Sequence, residues 1–162
     1  RTGLCDMVAE PEKLLEEEEL KYCVGCFGCW VKTPGQCVRK DSMEEINRTA
    51  MNSDVVIYLT PVVFGQYSAN MKSALDRWIP NILPFFIVRP DGSTMHPARY
   101  AQNPRIVMIA YGDGLTAQDA ALFRDITTNH RENGEVLVYE GDDEKTEREL
   151  LAVDWNRAGE RI

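Results

Sequence analysis

Cys23, Cys26, Cys29 and Cys37 follow a C-x2-C-x2-C-x7-C spacing, and they are four of the five cysteines in the chain. Core packing gives no reason to crowd four thiols onto one short stretch. Thiolates at successive three-residue steps, completed by a fourth from farther along, form the donor set of an iron–sulfur cluster. Gly25 and Gly28 alternate with the candidate ligands, and glycine supplies the backbone freedom that a tight wrap requires. Two other readings stay open on spacing alone. Zinc usually draws two separated C-x2-C pairs, and a dithiol can be catalytic or structural without any metal. Cys5 lies outside the set and reads as a small buried apolar side chain.

A second candidate is the run Thr60-Pro61-Val62-Val63-Phe64-Gly65-Gln66-Tyr67-Ser68. It follows a predicted parallel strand and precedes a predicted helix, and ligands of open α/β sheets bind outside the carboxyl ends of strands. Backbone donors, a glycine and two aromatics suit it to edging a planar ring; the alternative is a rigid turn with buried aromatics. Tyr111-Gly112-Asp113-Gly114 has the same placement after the next strand, although Asp-Gly is also a plain turn signal. His96 and His130 are single, and a lone histidine reads first as a hydrogen-bonded structural residue. No Ser/His/Asp set, Walker motif or GxGxxG fingerprint is present.

The elements that must position these loops alternate. Residues 4–9 read as a strand ended by Pro11, and residues 12–22 as a charged connection to the cysteine loop. Asp41 and Ser42 suit an N-cap, Ser42-x-x-Glu45 has capping-box spacing, and Met43, Ile46 and Ala50 give residues 42–52 an apolar helical stripe. The apolar run 54–60 predicts a strand buried on both faces. Ser68 caps a helix carrying Met71, Leu75, Trp78 and Ile79 on one face, ended by Pro80. Residues 83–104 form a proline-rich excursion in which Phe85, Phe86 and Tyr100 are expected to be buried. Strands at 105–110 and 135–139 flank a helix capped by Thr116 and stopped by Asn133-Gly134. A last helix over 144–155 has Leu150, Leu151 and Trp155 as its apolar side. This alternation predicts one α/β domain over 1–162 with a mainly parallel sheet.

Composition bounds the function. The chain has 162 residues, 44% hydrophobic and 27% charged, with a net charge of −8 and pI near 4.8. Excess acid argues against binding nucleic acid or an anionic membrane surface, and no apolar stretch reaches the length of a membrane span. The acidic run Glu16 to Glu19 reads as a solvated segment. A tight cluster in an odd cysteine count points to a reducing, cytoplasmic compartment rather than a secreted disulfide framework.

Taken together, the block from Cys23 through Trp30, Thr33-Pro34-Gly35 and Cys37, then Asp41-Ser42-Met43, Ser53-Asp54, the Thr60 to Ser68 loop, Lys72 and Asp76-Arg77, resembles the flavodoxin-fold NAD(P)H-dependent FMN reductases. More narrowly it resembles their iron–sulfur flavoprotein branch, as do Pro84-Phe85-Phe86 and Arg99-Tyr100. The resemblance implies a three-layer sandwich, an FMN at the strand ends, and a [4Fe–4S] cluster on Cys23, Cys26, Cys29 and Cys37. It implies Thr60 to Ser68 running along the isoalloxazine with Tyr111 to Gly114 on its other side, and NAD(P)H as hydride donor. Homodimers or homotetramers and an electron-transfer protein partner also follow from it.

One feature of the family is not matched. Its opening strand and phosphate-holding loop have no counterpart here, and residue 1 is Arg. The expectation is therefore a flavodoxin-like domain lacking its first strand and helix, read first as a fragment of a longer protein and otherwise as a diverged member with weakened flavin binding. Two rival functions stand beside the enzyme: a cluster-bearing electron carrier or partner subunit without its own flavin, and a zinc-stapled structural module.

Overall fold

The computed structural model describes residues 20–130 and 134–155. The strand predicted over 4–9 and the acidic run Glu16 to Glu19 lie outside the described residues. In chain order the elements are α1 (Gly28–Val31), α2 (Met43–Met51), β1 (Val55–Pro61), α3 (Ala69–Asp76), a 3₁₀ turn (Ile79–Asn81), β2 (Ile87–Val88), β3 (Thr94–Met95), β4 (Arg105–Tyr111), α4 (Ala117–His130), β5 (Glu135–Val138) and α5 (Asp143–Ala152). Strands β1, β4 and β5 form one parallel sheet in the order β1-β4-β5. The register runs from Val55 opposite Arg105 to Pro61 opposite Tyr111, so both strands end level and their following loops emerge side by side. This is the α/β arrangement with a parallel sheet that the alternation of elements predicts, and it is consistent with the flavodoxin-like fold that the resemblance implies.

One face of the sheet carries the core. Tyr58, Met108, Ala110 and Val138 pack with Tyr67, Met71, Ala120 and Phe123 from the covering segments. Tyr67 meets Phe123 edge to face at 5.3 Å, and its hydroxyl donates to Thr127 Oγ1 at 3.1 Å. The other face differs from expectation. β1 was predicted to be buried on both sides, yet Ile57 is 43% and Leu59 60% exposed. Alternation along the strand sends both side chains to the face that no described helix covers beside β1; α5 lies against β5 at the far side.

The helix signals are partly rearranged. Ser42 stands at the N-cap of α2 but makes no side-chain cap bond. Asp41 supplies it instead, accepting from the Met43 N–H at 3.2 Å. Ser68 caps α3 as expected, accepting from Met71 N–H at 3.2 Å. Thr116 caps α4, and Asp119 returns a bond to the Thr116 N–H at 3.0 Å. The helix expected to run to Pro80 ends at Asp76, and Pro80 sits inside the 3₁₀ turn. α5 has no fully buried residue, and Leu151 is exposed rather than packed.

The proline-rich excursion folds back as the antiparallel pair β2–β3, which periodicity did not indicate. Its aromatics contradict the expectation of burial: Phe85 and Phe86 are 65% and 70% exposed and Tyr100 is 41% exposed. The excursion is held by polar bonds. Arg99 Nε donates to Pro80 O at 2.8 Å, and His96 Nδ1 lies 2.9 Å from both Leu83 O and Phe85 O. Two carbonyl acceptors require Nδ1 to carry the proton, so His96 is the structural histidine its isolation suggested.

Candidate flavin and metal site

The carboxyl ends of β1 and β4 bring the two candidate ring-binding loops together. Val62 N–H donates to Tyr111 O at 2.8 Å, fastening one loop to the other. Thr60 is fully buried; its Oγ1 accepts from Ser68 N–H at 3.2 Å and donates to Pro61 O at 3.1 Å, so it closes the base of the first loop. Between them Val63 and Gln66 exchange backbone bonds of 2.9 and 3.0 Å around Phe64 and Gly65. Both central residues have positive φ, 50° and 73°, the signature of a tight mirror-image turn.

That turn is strained for a reason the sequence does not display. Phe64 is a bulky side chain held in the left-handed region, and it is 99% exposed. Gly65 is required by its φ, and an added Cβ would also stand 2.6 Å from Cδ2 of the half-exposed Leu122, which would have to move aside. The backbone N–H groups of Phe64 and Gly65 have no partner among the described residues. An outward-held aromatic face beside open N–H donors, with Tyr111 partly exposed on the adjoining loop, fits the edge of a planar, hydrogen-bonding ring. Within the run, Thr60 and Tyr67 are therefore internal struts, while Val63 and Phe64 present outward. Gly112, Asp113 and Gly114 continue the second loop, with φ positive at Gly114.

A phosphate has no comparable place among the described residues. α2, α4 and α5 each carry acid in the first turn (Glu44 and Glu45; Asp119; Asp143 and Glu144). α3 is capped by Ser68. Acidic residues at a helix start neutralise the partial charge that attracts an anion. The site therefore fits the ring of a flavin, while three of these four helix starts carry acid that disfavours a phosphate.

The cysteine loop lies at the opposite end of α3. Gly25 and Phe27 turn the chain through positive φ of 64° and 52°. Trp30 pins the loop, with Nε1 donating to Ile82 O at 3.0 Å and Ile79 O at 3.2 Å, while its ring stacks on Phe27 and leans on His96. All four thiols are free: Cys29 is buried, Cys23 and Cys37 are half-buried, and Cys26 is exposed. Burial pushes the Cys29 thiol up, and Cys37, Cys23 and Cys26 add to the rise against a lowering backbone bond. Four cysteine thiols gathered on one short loop, one of them buried, are a soft donor set that suits a metal core. Among the described residues no group of three or more His, Cys, Asp or Glu side chains already stands at metal-holding geometry, so ligation would draw the thiols inward.

The neck of this loop is closed by a residue that spacing did not single out. Arg77 is 1% exposed. Its Nη1 donates to Lys21 O at 2.9 Å and is ion-paired with Asp41; Nη2 donates to Arg39 O at 3.2 Å. The side-chain amide of Asn47 donates to Arg77 O at 3.1 Å and accepts from Asn81 at 3.1 Å. Asp41-Ser42-Met43 and Asp76-Arg77 both belong to the pattern that carried the family resemblance, which was the one signal available. A cavity of about 770 Å³ opens beside Cys37, lined in part by Gln36, Asn47, Arg48, Asn81 and Tyr100; it includes neither ring-binding loop.

Comparison with known proteins gives the chain's family. The family model described as NADPH-dependent FMN reductase matches residues 9–123. An iron–sulfur flavoprotein of Archaeoglobus fulgidus is 39% identical over 72 residues, which are 44% of this chain and 32% of that protein. One from Methanocaldococcus jannaschii is 38% identical over 66 residues, 41% of this chain and 33% of that protein. One from Methanosarcina thermophila is 33% identical over 63 residues, 39% and 32% of the two chains. The chain thus matches about a third of the length of these curated relatives. No solved structure matches it. The chain belongs to the family of NADPH-dependent FMN reductases, and the curated relatives it matches there are iron–sulfur flavoproteins.

Proposed function

We propose that the chain works in an FMN-dependent NAD(P)H oxidoreductase that moves electrons from a nicotinamide through FMN and a [4Fe–4S] cluster to an acceptor. The observation that supports this reading is that the two candidate loop regions lie at the two ends of one short helix. The ring-binding loops meet the start of α3 at Ser68, and the cysteine loop is clasped by Arg77 just past its end. Eight residues of helix span about 12 Å, a length over which electrons tunnel between redox centres. When bound, the flavin supplies hydride acceptance and the cluster supplies single-electron transfer.

The chain's own residues have definable parts in this. Thr60 and the Val62–Tyr111 bond hold the two loops in register. Phe64 presents its side chain outward, and the N–H groups of Phe64 and Gly65 would donate to ring heteroatoms. Cys23, Cys26, Cys29 and Cys37 would ligate the cluster, a chemistry that belongs in a reducing compartment such as the cytoplasm. Assembly is proposed as a homodimer or homotetramer with an electron-transfer protein as the outside partner.

The test is anaerobic reconstitution of the purified chain with iron, sulfide and FMN. The expected product shows flavin absorption, a broad iron–sulfur shoulder and oxidation of NAD(P)H. Retention of neither flavin nor iron overturns the reading. The acid-laden helix starts favour one alternative, a cluster-bearing electron carrier without its own flavin. Stoichiometric iron and sulfide without FMN selects it, and zinc without labile sulfide selects a structural metal module instead.

A further inference from the structure

Arg77 is the most completely buried cation among the described residues, and its surroundings are unusual. Its donors are spent on both sides of the cysteine loop. Lys21 O lies two residues before Cys23, and Arg39 O and Asp41 lie just after Cys37. Asp41 strengthens the closure by accepting from the Lys21 N–H at 3.0 Å. The same guanidinium is in side-chain contact with Cys37, within hydrogen-bonding reach of its sulfur. Yet Arg77 Nε is buried and has no hydrogen-bond partner. An orphaned buried N–H is ordinarily destabilising, so a site that keeps one calls for a partner that arrives later. A neutral thiol is a weak acceptor; a thiolate sulfur bound to iron is a better one, and it carries charge that a guanidinium would stabilise.

We propose that Arg77 is a positioning residue for the cluster, donating from its buried guanidinium toward the Cys37 sulfur and holding a positive charge beside it so that the cluster is more easily reduced. The inference rests on the cluster reading given above. Hydrogen bonds to the ligating sulfurs and net charge are among the quantities that set iron–sulfur potentials. Reduction adds one electron to the cluster, taken from the flavin or from a chemical titrant, and a fixed cation nearby favours that form. A purely structural clasp would hold residues 21–41 in place and leave the potential alone.

Iron and labile sulfide are measured first on the wild-type chain, followed by an EPR-monitored redox titration of wild type, Arg77→Lys and Arg77→Gln. Arg77→Lys can keep the ion pair with Asp41 but has no planar fork to reach both the backbone carbonyls and the sulfur. With circular dichroism and iron content unchanged, its reduced-to-oxidised ratio at a fixed potential is expected to fall about tenfold, equivalent to about 59 mV for a one-electron couple. Arg77→Gln removes the charge as well and is expected to shift further in the same direction. Cluster-loaded variants with the wild-type midpoint overturn the inference and leave the cluster reading standing. Wild type without iron and sulfide overturns both. Because either variant can fail to fold, pulsed EPR of the reduced wild-type cluster with ¹⁵N-arginine supplies a second readout. A guanidinium nitrogen coupling is expected, and its absence overturns the inference.

Discussion

At the residue scale, the two loops rest on single side chains whose roles can be separated. Phe64 holds a left-handed conformation that costs roughly 1–2 kcal/mol for a non-glycine residue, and at 99% exposure it gains nothing from packing in return. Phe64→Gly is therefore expected to raise the urea midpoint of the chain while weakening retention of FMN. A lowered midpoint would mean that the ring packs somewhere after all. Gly65→Ala is expected to do the opposite to stability, losing about 1–3 kcal/mol because φ is 73° and Leu122 occupies the space. Asp41 makes a third case. Burial raises its pKa, but Arg77 and the N–H groups of Lys21 and Met43 outweigh that, and the carboxyl sits below its usual range. A depressed carboxylate contributes stability that is full above the unfolded pKa, near 4, and fades as pH falls through the lower folded value. Asp41→Asn leaves the buried Arg77 uncompensated, and a loss of about 3–5 kcal/mol is expected in urea melts at neutral pH, shrinking toward pH 3. The cysteines and the Thr60 run were legible because their chemistry is written in residue type. Arg77 was not, because an arginine in a helix reads as surface until its partners, far off in sequence at Lys21 and Asp41, are brought to it.

At the element scale, the junction from β1 into α3 is the hinge of the candidate flavin site. It depends on two hydrogen bonds at Ser68, one received by its hydroxyl from Met71 N–H and one given by its own N–H to Thr60 Oγ1. Ser68→Ala removes the cap alone and is expected to cost about 1 kcal/mol. Thr60→Val keeps the shape but strands the Ser68 N–H, and the larger loss is expected there, about 1–3 kcal/mol. Thermal melts of the two variants rank the bonds; an equal or reversed ranking would show that the loop base is held elsewhere. Local capping made α3 and α4 readable in advance, since a hydroxyl before an apolar stripe acts within one turn. The excursion was less readable. Its aromatics suggested burial, but the segment is held by carbonyls accepting from Arg99 and His96, and such bonds leave no periodic trace in sequence.

At the scale of the whole molecule, the sheet is unevenly covered among the described residues. Strand β1 looked fully buried from composition because hydrophobicity reports what a strand can pack against, not what is there to cover it. Among the described residues no strand pairs with its outer edge, and Ile57 and Leu59 stand exposed side by side in register with buried Val107 and half-buried Ile109. Apolar side chains in such a row bind hydrophobic dyes and promote association. The net charge of −8 opposes association at low ionic strength, and that opposition weakens as salt screens it. The 162-residue chain is therefore expected to enhance anilinonaphthalene sulfonate fluorescence in its native state, with self-association rising from low to moderate salt in light scattering. Leu59→Lys, with or without Ile57→Lys, is expected to reduce both signals while leaving the unfolding free energy from urea melts within about 0.5 kcal/mol of the parent, as for an ordinary surface substitution. A large loss of stability in Leu59→Lys would instead mean that the face is covered in solution. The same measurement after flavin reconstitution separates the two surfaces: the ring-binding loops lie beyond the strand ends, so ligand there should leave the dye signal of the Ile57–Leu59 face unchanged.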